Sequence, residues 1–174
     1  MGDRHQFRAN WHGYNDGLYF VTVCTSNMQT SLGHIDDMEM HLSPLGAILD
    51  YWLRKAPDSY EDICMINYVI MPNHFHCLLD IRGEQSRLKQ PNYGCLHSSH
   101  RLRKTTDFHH NSLLSRFIGN IKRAVTIEAR KSGIDFAWQR SFHEHIVKHE
   151  SAYKAIMIYI DRNVSSWGED RFYR

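Results

Sequence analysis

His74 and His76, separated only by Phe75, are the residues of this chain whose types and spacing best suit chemistry. On an extended backbone, side chains alternate faces, so two histidines two apart point the same way and can offer two imidazoles to one ion. Pro72 and Asn73 just before them are turn residues, and the flanking runs 64–71 and 74–81 predict a tight hairpin. A second pair of the same spacing is His143-Glu144-His145. A further group lies in Tyr159-Ile160-Asp161-Arg162-Asn163, where Tyr159 and Asn163 are neighbours on one helix face. A phenol one turn from an amide oxygen can sit beside a metal and supply both nucleophile and ligand. The same spacings also fit a half-exposed strand without an ion, and an amphipathic helix lined by Ala155, Ile156, Tyr159, Ile160 and Asn163.

The elements that must position these groups are legible from patterning. Residues 18–24, with the run Tyr-Phe-Val-Thr-Val, predict a first strand. After a polar connection containing Gly33-His34-Ile35, Ser43 caps a helix with Pro44 at its first position. Leu45, Ile48, Leu49, Trp52 and Leu53 give that helix a buried stripe, and Pro57-Asp58 end it. The histidine hairpin follows. A second helix is expected from Ser112 to about Lys131, closing at Gly133, with Leu113, Phe117, Ile121, Ala124, Val125 and Ile127 facing the core. Residues 136–140 read as a short fourth strand continued by 142–147, and a last helix runs over about 151–163. Strand, helix, strand, strand, helix, strand, helix predicts an α+β fold. The expected form is a ferredoxin-like, split βαβ antiparallel sheet with helices on one face and an extra C-terminal helix carrying the tyrosine.

The chain of 174 residues is expected to form a single domain over 1–174, with a basic loop insertion at about 82–110. A net charge of +2 makes no nucleic-acid claim by itself. Its distribution says more. The insertion holds Arg82, Arg87, Lys89, Arg101, Arg103 and Lys104 against Glu84 and Asp107. The second helix adds Arg116, Lys122, Arg123, Arg130 and Lys131 against Glu128. Such a loop and helix fit a nucleic-acid footprint, and fit a solvated surface equally. The cysteines Cys24, Cys64, Cys77 and Cys95 lack any C-x-x-C spacing and are expected to be free, buried thiols. No apolar run has the length of a membrane span and no signal-peptide core opens the chain, so a cytoplasmic protein without membrane contact is expected.

Four blocks in order resemble one family over nearly the whole chain. They are Gly13-Tyr14 with Tyr19-Phe20-Val21-Thr22-Val23-Cys24-Thr25; Val69-Ile70-Met71-Pro72-Asn73-His74-Phe75-His76; Trp138-Gln139-Arg140-Ser141-Phe142-His143-Glu144-His145-Ile146; and Tyr159-Ile160-x-x-Asn163 with Trp167 and Asp170 trailing. The chain resembles the single-tyrosine His-hydrophobe-His (HUH) transposases of insertion sequences, and among them the REP-associated tyrosine transposase-like branch. Two positions depart from that pattern: Val164 stands where relatives commonly have proline, and Cys77 where they have glycine.

The resemblance implies a metal-dependent single-stranded DNA endonuclease and strand transferase working by transesterification through a 5′-phosphotyrosine. It implies His74, His76 and Asn163 as ligands of a divalent metal, Mg²⁺ or Mn²⁺, and Tyr159 as the nucleophile. Its partner would be single-stranded or hairpin DNA, and a homodimer is in keeping with related transposases. Arg101, Arg103, Lys104, Arg116, Lys122 and Arg123 are the expected phosphate contacts. Phe7, Trp11 and Tyr14 could stack on splayed bases or anchor the core. Three rival readings remain: a metal-dependent hydrolase using His143 and His145, with or without His74 and His76; a DNA- or RNA-binding ferredoxin-like module with Tyr19, Phe20, Tyr68 and Phe75 as its aromatics; and a relative that binds DNA without cutting it.

Overall fold

The computed structural model describes residues 17–82 and 112–173. The expectations for Phe7, Trp11 and Tyr14, and for Arg101, Arg103 and Lys104 of the basic insertion, lie outside these residues. The first strand, β1 (Gly17–Cys24), is followed by a small hairpin of β2 (Gly33–Asp36) and β3 (Glu39–Leu42), then by α1 (Pro44–Lys55). The histidine hairpin comprises β4 (Ile63–Met71) and β5 (His74–Ile81). After it come α2 (Leu113–Lys131), β6 (His143–Val147) and α3 (Glu150–Arg162).

β1, β4, β5 and β6 form one antiparallel sheet in the order β4-β5-β1-β6. That is the ferredoxin-like arrangement: first and third strands of the unit central, second and fourth at the edges. Strand parity then sorts the side chains. Tyr19, Val21 and Val23 of β1 and Phe75, Cys77, Leu79 and Ile81 of β5 pack against Leu45, Leu49 and Leu53 of α1 and Phe117, Ile121 and Val125 of α2. The alternate residues face the other way, where Leu18, Leu78 and Val147 meet Ile160 and the partly buried Ile156 and Met157 of α3. His74 and His76 share the parity of Leu78, so they belong to the α3 face. Two helices thus cover one face, and the C-terminal helix carries its tyrosine to the other.

Local chemistry explains the boundaries. The Ser43 hydroxyl accepts from the Gly46 N–H at 3.0 Å and Pro44 opens α1, as the sequence predicts. Ser112 caps α2, accepting from the Ser115 N–H. At the other end of α2, Gly133 takes φ +70°, with Gly133 N–H donating to Arg130 O and Ile134 N–H to Ala129 O, a Schellman closure.

Several expectations are corrected. Residues 136–140 do not form a strand: only an isolated bridge joins Thr25 to Trp138, because the Phe136 and Trp138 rings turn toward the core and Trp138 Nε1 donates to Lys122 O. The polar connection after β1 contains the β2–β3 hairpin. On α2, Ile127 is exposed while Leu114, Ile118 and Ala129 are buried, so the apolar stripe is rotated from the one expected. Cys24 and Cys77 are free and buried, but Cys64 is disulfide-bonded, against the expectation of a free thiol. Among the described residues, no helix is long and apolar enough to cross a membrane.

Candidate active site

The tight turn at Pro72-Asn73 starts β5 with His74, and two polar neighbours then orient the rings. His74 Nδ1 lies 2.8 Å from Asn73 Oδ1. The Asn73 amide is itself fixed, since its Nδ2 donates to Phe172 O at 2.9 Å. The amide oxygen therefore accepts from His74 Nδ1–H, which leaves the lone pair of His74 on Nε2. His76 Nδ1 lies 2.8 Å from the buried Thr22 hydroxyl, directly across the β1–β5 pair. The two Nε2 atoms are 3.0 Å apart. Two ligand bonds of about 2.1 Å at a right angle span about 3.0 Å, so one first-row ion can meet both nitrogens without ring movement.

α3 delivers the phenol. Asn67 sits at a register irregularity of β4 and its Nδ2 donates to Asp161 Oδ1 at 2.9 Å, tying the last turns of the helix to the sheet edge. Tyr159 Oη then lies 3.2 Å from His76 Nε2 and donates to Asp170 Oδ2 at 3.2 Å. Phe20 of β1 stacks on His76 and meets Tyr159 edge-on, with centroids 5.0 and 5.8 Å apart. Asn163, at the C-cap of α3, donates from Nδ2 to Asp170 Oδ2, while its Oδ1 is buried without a hydrogen-bond partner. Asp170 follows the short helical turn Trp167–Glu169, and its second oxygen accepts from Phe172 N–H at 2.7 Å. Trp167 and Phe172 flank His74, so the tail is pinned against the site.

His74, His76 and Asp170 form a group whose ligand atoms all lie within 4.8 Å of one another. With the orphaned Asn163 Oδ1 beside it, this set of two neutral nitrogens, a carboxylate and an amide oxygen has the chemistry to hold a divalent cation. Burial pulls the His74 imidazole down to about 4, opposed by the Asp170 charge and reinforced by Arg171. His76 is held well below its ordinary range by burial, by His74 and by Arg171. Both rings are thus neutral and available as ligands at neutral pH. The Tyr159 phenol is shifted upward, chiefly by burial and then by the Asp170 carboxylate.

The structure therefore brings together His74, His76, Tyr159 and Asn163, the four residues singled out for chemistry. It adds Asp170, which sequence reasoning saw only as a trailing motif residue. The basic residues are placed differently. α2 covers the opposite face of the sheet, where Arg116 and Arg123 line a cleft of about 660 Å³ with Tyr60, Glu61 and Ile127. That cleft lies away from the imidazoles, and the donor geometry, not the cleft, marks the active-site candidate. Lys122 Nζ donates to Gln139 O and Arg140 O, at 2.7 and 3.3 Å. His143 and His145 share the face of His76, but β1 lies between them and β5, and they do not join the cluster around Asp170.

The fold is shared with that of a REP-associated tyrosine transposase, whose structure is described as bound to a REP hairpin. The TM-score is 0.59 at 19% sequence identity, covering 92% of this chain and 74% of that one. The chain belongs to the same family as an uncharacterised protein of Haemophilus influenzae, 33% identical over 172 residues, which span 98% of this chain and 93% of the relative. No protein-family model matches.

Proposed function

We propose that this protein is a transposase-type enzyme that nicks and joins single-stranded DNA at hairpin or palindromic sequences through a 5′-phosphotyrosine intermediate. The observation that carries this reading is the phenol of Tyr159 at 3.2 Å from His76 Nε2, inside a cluster of metal-ligand character. His74 and His76 would hold a divalent ion, Mg²⁺ or Mn²⁺, with Asn163 Oδ1 and Asp170 completing its donors. When bound, such an ion polarises a non-bridging oxygen of the scissile phosphate.

The chain's own groups account for the rest. Tyr159 attacks phosphorus in line; its oxygen–phosphorus bond forms as the bond to the 3′-oxygen breaks, and the departing 3′-oxygen takes a proton from solvent to give a free 3′-hydroxyl. Asp170 is the acceptor for the phenolic proton, which the upward-shifted phenol does not lose unaided. Because the intermediate keeps the energy of a phosphodiester, a 3′-hydroxyl can reverse the step and join strands without ATP. The histidines, tyrosine and carboxylate all come from one chain, so this site needs no second subunit, although a homodimer remains compatible with it. Arg101, Arg103 and Lys104 are proposed phosphate contacts, and so are Arg116 and Arg123 of α2, which lie across the sheet from the reacting atoms, with Lys122 holding the segment at Gln139.

The test uses a labelled single-stranded hairpin with Mn²⁺ or Mg²⁺. A denaturation-resistant protein–DNA adduct is expected, and Tyr159→Phe is expected to abolish it while retaining binding. An adduct that persists in Tyr159→Phe rejects the nucleophile; hydrolytic ends without an adduct favour a hydrolase.

A further inference from the structure

His143 and His145 of the edge strand β6 have no role in the reactions above, yet their placement is specific. In the register of the sheet, Thr22 is paired on one side with His76 and on the other with His143; Phe20 is paired with Leu78 and with His145. Directly paired residues of an antiparallel sheet point to the same face. The two exposed imidazoles therefore lie in the same rows as the buried histidines, one strand beyond Thr22 and Phe20. Strand spacing puts the His143 row about 10 Å from that of His76.

The other side of this floor is closed. α3 packs on β4 and β5, with Tyr159 over His76 and edge-on to Phe20. Among the described residues, the floor toward β6 is made by half-buried Phe20 and the two exposed rings, beside the Tyr159 phenol. The arginines of α2 lie across the sheet and cannot serve it. Imidazole and phenyl rings stack on unpaired bases, and an imidazole N–H donates to phosphate oxygens, so this floor has the chemistry to hold a single strand.

We propose that His143 and His145, with Phe20, form a subsite for the unpaired nucleotide that flanks the scissile phosphate. The inference rests on the nuclease reading for the identity of the strand, but its own evidence is the row of rings on the α3 face. The subsite orders the strand beside Tyr159 and acts through positioning, not through bond making.

The experiment measures binding by fluorescence anisotropy in a Tyr159→Phe background with a chelator present. Two probes are used: a DNA hairpin with an unpaired flank and the same hairpin cut blunt. The double variant His143→Ala/His145→Ala is expected to bind the flanked hairpin about tenfold or more weakly, with the blunt hairpin unchanged and an unaltered thermal midpoint. His34→Ala/His41→Ala, a remote exposed pair on the β2–β3 hairpin, is expected to change neither. Equal affinity of the double variant for the flanked probe overturns the proposal, as does an equal loss on both probes. A loss seen only when a transition-metal ion replaces the chelator also overturns it, in favour of a second ion site. If the protein with Tyr159 intact forms no adduct while the flank-specific loss is present, the nuclease reading fails and the row of rings stands as a site for an unpaired flank alone. If the adduct forms and the loss is absent, the subsite alone fails.

Discussion

Tyr159 Oη stands 3.2 Å from His76 Nε2, although 83 residues separate the two in the chain. The contact exists because β5 aims His76 at the α3 face and α3 is tied to β4 through Asn67 and Asp161. If the phenol serves chemistry and the ring serves metal binding, removing each should have separable effects. Tyr159→Phe is expected to leave Mn²⁺ affinity within a few-fold and to abolish adduct formation; His76→Ala is expected to lose both. Calorimetric Mn²⁺ titration beside the adduct assay checks this.

Asp170 supplies the one carboxylate of the histidine cluster among the described residues. Asp170→Asn keeps the shape but removes the negative charge and, on the proposed mechanism, the proton acceptor for Tyr159. Metal affinity is expected to fall about 10- to 100-fold, the range seen when groups that support a metal site are removed. Adduct formation is expected to fall further than that, since added metal cannot restore the acceptor. Full recovery at saturating Mn²⁺ would confine Asp170 to metal binding.

The buried imidazoles make the metal-free fold acid-sensitive. His74 is held at about 4 in the folded chain against 6.5 for the free side chain. Between those values the unfolded chain binds more protons than the folded one, so stability is complete above about pH 6.5 and declines as pH falls toward 4. The neighbouring His74 and His76 rings act in the same direction across that window. Denaturant midpoints in chelator are expected to drop between pH 7 and pH 4.5, and His74→Phe to flatten the dependence.

Gly46 is required by packing. A Cβ at this position would lie 2.1 Å from the carbonyl oxygen of Leu32, whose N–H donates to Pro72 O at the start of the histidine hairpin. Alanine gains about 1 kcal/mol of helix propensity over glycine. Overpacking against backbone costs about 1–3 kcal/mol or more, so the clash outweighs the propensity. Gly46→Ala is expected to lower the thermal midpoint by several degrees; a rise would show that the Leu32 segment yields freely.

The site was readable in the sequence where local geometry decides it. His74 and His76 face together because a strand alternates, and Tyr159 and Asn163 share a face because a helix turns every 3.6 residues. Which face of the sheet α2 would cover was not readable, because Arg116 and Arg123 look the same in a pattern whether they flank the imidazoles or lie behind them. Asp170 was hidden for a different reason. It follows a single helical turn after α3, where no periodicity constrains direction, and only the packing of Trp167 and Phe172 on His74 brings it in. The strand expected at 136–140 failed because alternation in a short aromatic run cannot separate a ladder from two rings anchored in the core.

The hydroxyl of Thr22 has a consequence for how the neighbouring ring trades partners. A threonine side chain can give or take a hydrogen by rotating about one bond, so either nitrogen of His76 can carry the proton while the 2.8 Å anchor persists. With a cation held at Nε2 as proposed, its capture and release would need only a swivel of one small group, with the sheet beneath it standing still.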